Sequence, residues 1–230
     1  MRYNGIMNTM QPILVIFILL SVVHITFIIL KKEKLRYISK CLLMPLLLAV
    51  YIAGGGSKFP IPIPALVLGW IGDVMLIKIQ KKANFMLGLA SFLLGHICYI
   101  AAFIAVLGIF GADGGACRMN LPAILIFTPP AIVLGFVVYR LIKPLREMRL
   151  PVILYMTVLE LMTLFGFQVF LLNPGVAGLL ILSGCICFMV SDTILAYYTF
   201  RKIKVSGSVL LMGYYILAQA EIILGLLMLL

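Results

Sequence analysis

The chain has 230 residues, of which 64% are hydrophobic and only 11% charged, with a net charge of +11 and a mean hydropathy of +1.23. This composition excludes a water-soluble globular enzyme and implies a polytopic membrane protein. The positive balance needs no nucleic acid to explain it, because the basic residues cluster between apolar runs, where they meet anionic headgroups.

Apolar runs of about 20 residues, the length that crosses a bilayer, predict eight spans: 10–30, 37–53, 61–79, 84–107, 121–141, 151–172, 176–199 and 207–229. The expectation is an all-α membrane protein, one transmembrane domain over 1–230 with no soluble part. The first run is as long as a span and has no small-x-small cleavage site after it, so it reads as a retained helix and not a signal peptide. The loops then set the orientation. Lys31, Lys32, Lys34, Arg36 and Lys40 follow span 1, and Lys78, Lys81 and Lys82 follow span 3. Arg140, Lys143, Arg146 and Arg149 follow span 5, and Arg201, Lys202 and Lys204 follow span 7. These are 15 of the 18 basic residues, leaving Arg2, Lys58 and Arg118 for the other side. By the positive-inside rule both termini are expected outside the cytoplasm.

Span 3 contains "LVLGWIGDVMLIKI" (Leu66 to Ile79), an apolar run with Asp73 near its middle. Ionised and unpaired in hydrocarbon, a carboxylate costs roughly 2.5–3.5 kcal/mol or more. Asp73 must therefore be paired, protonated or used. Three more of the seven acidic residues fall inside spans: Glu160, Asp192 and Glu221. At about 1.5 Å per residue, Asp73 lies roughly 9 Å, Asp192 about 10–12 Å, Glu160 about 14 Å and His96 about 18 Å from the cytoplasmic ends of their helices. Ionisable groups on four spans at similar depth predict a polar pocket open to the cytoplasm.

In span 4, "GLASFLLGHICYIAAF" (Gly88 to Phe103) puts Gly88, Ser91 or Phe92, Gly95 and Tyr99 at helical spacing, with His96 on nearly the same face. In span 8, "YYILAQAE" (Tyr214 to Glu221) groups Tyr215, Ala218 and Gln219. Small and polar faces of this kind look inward. "GDVMLI" and "SDTILA" each place an Asp after a small residue and a Leu three places later, and a shift of 119 residues superposes Asp73 on Asp192. A duplication would give two parallel four-helix halves, 1–110 and 120–230. The five cysteines show no CxxC spacing and are assigned to packing; no HxxxH or HxxE spacing appears, so neither metal nor cofactor is expected.

The segments "SKCLLMPLLL" (from Ser39), "LGWIGDVMLI" (from Leu68), "FMLGLASFLLGHICYIAAF" (from Phe85), "PVILYMTVLELM" (from Pro151), "MVSDTILAYYTF" (from Met189) and "YYILAQ" (from Tyr214) occur in this order across most of the chain. Together they resemble the YhhN-like lysoplasmalogenase family of eight-span membrane proteins. The resemblance implies hydrolysis of the vinyl ether bond of a lysoplasmalogen to a fatty aldehyde and glycerophosphocholine or glycerophosphoethanolamine. It carries over Asp73 and Asp192 as catalytic residues, with Lys40, His96, Tyr99, Tyr155, Ser191, Tyr215 and Gln219 binding substrate or water. Gly95 before the His, the wider spacing of Lys40 and Pro45, and the acidic Glu160 and Glu221 depart from the family pattern; the two glutamates would extend the pocket.

The chemistry suits these residues on its own terms. An enol ether is cleaved by protonating its β-carbon, and water captures the oxocarbenium ion that results, so one acid and one anion are required. One Asp would hold a proton and the other would be ionised; the residues leave open which is which. Lys40 is a candidate for the substrate phosphate. The expected partners are a lysophospholipid and membrane lipids, and the absence of an N-x-S/T sequon favours a bacterial inner membrane. A small proton-coupled transporter or a lipid-binding protein could use the same buried acids.

Overall fold

The computed structural model describes residues 2–78, 82–108, 120–142, 146–201 and 208–230. Among them the chain forms eight α-helices and no strand: α1 (Arg2–Ile29), α2 (Glu33–Ala53), α3 (Pro62–Met75), α4 (Lys82–Leu107), α5 (Leu121–Ile142), α6 (Arg149–Leu172), α7 (Val176–Phe200) and α8 (Val209–Met228). Helices are the form expected where no water is present to satisfy backbone groups. The loop residues Lys81, Asp113, Cys117, Arg118, Lys143, Lys202 and Lys204 lie outside the described residues.

Six helices (α1, α2, α4, α6, α7 and α8) are long and apolar enough to cross a membrane. The third expected span, 61–79, is shorter than its apolar run suggested. Its α-helix has 14 residues and gives way after Met75 to a 3-10 turn at Leu76–Lys78. Tightening of this kind is common where a helix runs out of partners for its last carbonyls. Helix and turn together rise about 27 Å. Asp73 thus sits in the last α-helical turn and not in mid-helix.

By its contacts the chain divides into two compact units, Met1–Tyr99 with Leu226–Leu230, and Ile100–Gly225. In the first unit, α1 and α2 are joined by a tight turn in which Lys31 takes a positive φ of 55° and the Lys32 N–H reaches back to the Phe27 carbonyl. Between α2 and α3 the chain reverses through Gly55, at φ 94°, and the Tyr51 hydroxyl donates to the Phe59 carbonyl at 2.7 Å. Helices α3 and α4 approach closely through the face that their sequence marks as small. A Cβ on Gly88 would meet Leu76 at 2.8 Å, one on Gly95 would meet the Ala65 carbonyl at 3.4 Å, and Ser91 donates to the Leu68 carbonyl at 2.6 Å.

The second unit is built the same way. A Cβ on Gly166 of α6 would lie 2.7 Å from the Cys185 sulfur, and one on Gly184 of α7 would lie 2.9 Å from the Ala218 carbonyl of α8. Helix α5 is held to α6 by the Asn120 N–H donating to Gln168 Oε1 at 2.8 Å and by the stacked Phe127 and Phe167 rings. Cys185 is buried against Met162, as a packing role requires, and no disulfide forms among the described cysteines.

Because a Cβ on Gly184 would meet backbone of α8, the Ala218 carbonyl at 2.9 Å and the Ile222 N at 3.0 Å, as well as Ile222 Cγ1 at 2.7 Å, Gly184→Ala is expected to destabilise the protein by about 1–3 kcal/mol. Gly213→Ala, where no atom lies within 4 Å of the added Cβ, should be neutral or stabilise by up to about 1 kcal/mol. Thermal unfolding of the two variants in detergent compares them directly, and equal melting temperatures would refute the close approach.

Candidate functional site

In the first unit Asp73 is only 2% exposed, and its Oδ1 lies 3.3 Å from the Nζ of Lys40, itself 16% exposed. The carboxylate that the sequence left without a partner therefore has a cation. A buried ion pair of this kind exists only where both charges gain enough from each other to offset leaving water. Lys40 points at Asp73, so its charge is engaged inside the protein.

Lys40 is aimed by its neighbours on both sides. Within an α-helix the Cys41 carbonyl would accept the N–H of residue 45, but residue 45 is Pro45 and has none. The orphaned carbonyl instead accepts the indole N–H of Trp70, on α3, at 2.9 Å. Membrane helices tolerate proline when a neighbouring helix supplies such a donor. That bond fixes α2 against α3 one residue after Lys40 and three residues before Asp73. On the other side, Ser39 Oγ lies 2.8 Å from His24 Nδ1 on α1. Three consecutive residues of α2 thus each make a polar contact to another helix.

His96 and Tyr99, both buried, follow Gly95 on α4. Gly95 packs on Ala65, eight residues from Asp73 on α3, which is about 12 Å along the helix axis. The His that shares the small face of span 4 is thus set about two turns from the level of Asp73.

In the second unit the Tyr155 hydroxyl of α6 donates to Asp192 Oδ2 at 2.5 Å. Tyr155 is 7% exposed and Asp192 partly buried. Ser191, next in the chain, donates to the Leu211 carbonyl of α8 at 3.2 Å, and Tyr215 packs edge-on against Phe188 with centroids 5.8 Å apart. Asp192, Tyr155, Ser191 and Tyr215 therefore belong to one α6–α7–α8 cluster, and Gln219 is buried one turn further along α8.

The two extra glutamates occupy other faces. Glu160 leans towards α5, where a Cβ on Gly135 would collide with its carboxylate. It lies five residues after Tyr155, about 140° around the helix, so equal depth does not put it on the same face. Glu221 lies on α8, and its Oε2 is buried without a hydrogen-bond partner. Among the described residues no group of three or more His, Cys, Asp or Glu converges as a metal site would require.

The sequence reading passed over His24, Ser39 and Trp70. Pro45 carried the clue to Trp70, since a proline four residues after Cys41 frees a carbonyl that something must satisfy.

Fold and site together describe an integral membrane protein with a polar residue cluster on its apolar helices in each unit. A family model for the YhhN family matches residues 35–226. The chain belongs to that family, and α1 lies outside the matched region. No curated protein and no solved structure matches it.

Removing the cation from a buried pair leaves a charge in low dielectric, which costs about 3–5 kcal/mol. Lys40→Met should therefore destabilise the protein by about that amount, and adding Asp73→Asn in the same chain should recover most of the loss. A double-mutant cycle on thermal unfolding measures the coupling, and strictly additive effects would show that the pair contributes nothing.

Proposed function

We propose that the protein is a lysoplasmalogenase-type hydrolase that cleaves the vinyl ether bond of a lysophospholipid. Family membership supports this reading, and one observation carries it: a lysine ammonium is among the partners of Asp73 and a tyrosine hydroxyl among those of Asp192. The chemistry needs two unlike carboxyls, one to give a proton and one to remain negative.

The Lys40 ammonium favours the charged form of Asp73, which suits the anion. Asp73, held ionised, would stabilise the oxocarbenium ion. Asp192 would then be the general acid, delivering its proton to the β-carbon of the vinyl ether. As that proton leaves, negative charge grows on Asp192, and the hydrogen bond from Tyr155 strengthens as it does so. Such a bond lowers the barrier because it is worth more in the transition state than before it. The hemiacetal formed by water then collapses, with its C–O bond breaking to give aldehyde and alcohol. Asp192, left as the carboxylate, takes a proton from the water that captures the ion, and the hemiacetal hydroxyl proton passes to the departing oxygen, so both carboxyls return to their starting states and the cycle consumes only water.

His96, Tyr99, Ser191, Tyr215 and Gln219 are proposed to line the path of the substrate or its water. The cytoplasmic leaflet of a bacterial inner membrane, with both termini on the opposite side, is the proposed setting. In this proposal Lys40 keeps Asp73 ionised, a role besides the phosphate contact that its sequence position suggested.

The test is release of long-chain aldehyde from a lysoplasmalogen by detergent-purified protein, beside an ester lysophospholipid as control. Wild type should release aldehyde. Asp73→Asn and Asp192→Asn should each lose roughly 10²–10⁴-fold in rate, the usual span for a positioned acid or base. Tyr155→Phe, which loses one hydrogen bond to a developing charge worth about 1.5–3 kcal/mol, should lose roughly ten- to hundredfold. Folded wild type without turnover would turn the reading towards proton-coupled transport or lipid binding, and a full rate in either Asp→Asn variant would end the mechanism.

A further inference from the structure

Helix α1 lies before the region shared with the family, yet it reaches the residues around Asp73. His24 is fully buried on α1, a helix whose apolar residues are otherwise largely turned outward, among them Val15, Ile16, Leu19 and Val22. The Ser39 hydroxyl already donates to the Leu35 carbonyl at 2.9 Å. With its proton on that carbonyl, or on the Arg36 carbonyl at 3.1 Å, it accepts from Nδ1–H, and with its proton on Nδ1 it donates; in either tautomer the 2.8 Å bond joins α1 to α2. The other ring nitrogen, Nε2, is buried with no hydrogen-bond partner.

An unsatisfied ring nitrogen costs free energy in a buried site. Phenylalanine would fill nearly the same volume without that cost and without orphaning Ser39. Stability alone therefore does not explain a histidine here. What phenylalanine would lose is the bond that ties α1 to Ser39, the residue immediately before Lys40. Helices in lipid have little hydrophobic force holding their register, so packing and interhelical hydrogen bonds set it. Ser39 meets α1, Lys40 meets Asp73, and the Cys41 carbonyl meets Trp70.

We infer that His24 is a positioning residue: through Ser39 it holds α2 in the register that keeps the Lys40 ammonium on Asp73. The functional consequence rests on the reading of Asp73 as the catalytic anion, but the register does not. Trp70, the single tryptophan of the chain, bonds the carbonyl next to Lys40 and reports that register by its fluorescence without any need for activity.

The experiment compares wild type, His24→Phe, His24→Asn and Ser39→Ala as full-length protein in detergent. Asn carries an amide nitrogen and an amide oxygen the same number of bonds from the backbone as Nδ1, so it keeps a partner for the Ser39 hydroxyl in either direction. His24→Phe is expected to melt at or above the wild-type temperature, to shift Trp70 emission, and to lose roughly ten- to hundredfold in aldehyde release, as misplacement of a reacting group by about 1 Å does. Ser39→Ala should give the same emission shift, and His24→Asn should resemble wild type in both emission and rate. Wild-type emission in both His24→Phe and Ser39→Ala overturns the inference, as does a His24→Asn variant as impaired as His24→Phe. Should His24→Phe fail to fold, Ser39→Ala decides alone by the same criterion. An emission shift in a protein whose wild type releases no aldehyde supports the register and removes the hydrolase reading instead.

Discussion

A carboxylate cannot stay charged in hydrocarbon without a partner, and the first unit is arranged around the one given to Asp73. Lys40 supplies the charge, and both of its chain neighbours are tied to other helices, Ser39 to His24 and Cys41 to Trp70. The close α3–α4 approach at Gly88, Ser91 and Gly95 backs the same helix from the other side. A proline that would ordinarily weaken α2 is turned into a fastening, because the carbonyl it frees is the one that Trp70 holds.

The second unit solves a related problem differently. Asp192 receives a hydroxyl where Asp73 receives an ammonium, and the glycines at 166 and 184 bring α6, α7 and α8 close enough for short side chains to meet across them. An ammonium favours the charged carboxylate throughout a reaction. A hydroxyl becomes a better partner as charge appears. The contrast is the physical basis for assigning Asp73 the anion and Asp192 the proton.

Much of this was legible in the sequence, and the limits have physical causes. Apolar run length located the helices, and the improbability of acids in lipid picked out Asp73, Glu160, Asp192 and Glu221 alike. Spacing in "GLASFLLGH" foretold which face of α4 packs on α3, since glycine and serine at i, i+3 and i+7 leave room for a neighbouring backbone. Depth, however, fixes height and not direction. Glu160, expected at a depth similar to that of Asp192, faces α5, and Lys40, expected at a phosphate, faces Asp73. Both depend on the rotation and register of one helix against another, which hydropathy does not encode. The early end of α3 was hidden for the same reason, because the apolar composition continues through the 3-10 turn that replaces the α-helix.

The central claim is that the chemistry begins with protonation of a carbon. Running the reaction in heavy water tests that claim most directly, with the released aldehyde weighed by mass spectrometry. Protonation of the vinyl ether by Asp192 requires one solvent deuterium on the carbon beside the aldehyde carbonyl, and a rate slower than in ordinary water. Aldehyde released without that label would show that the bond is broken another way and would contradict the assignment of the two aspartates.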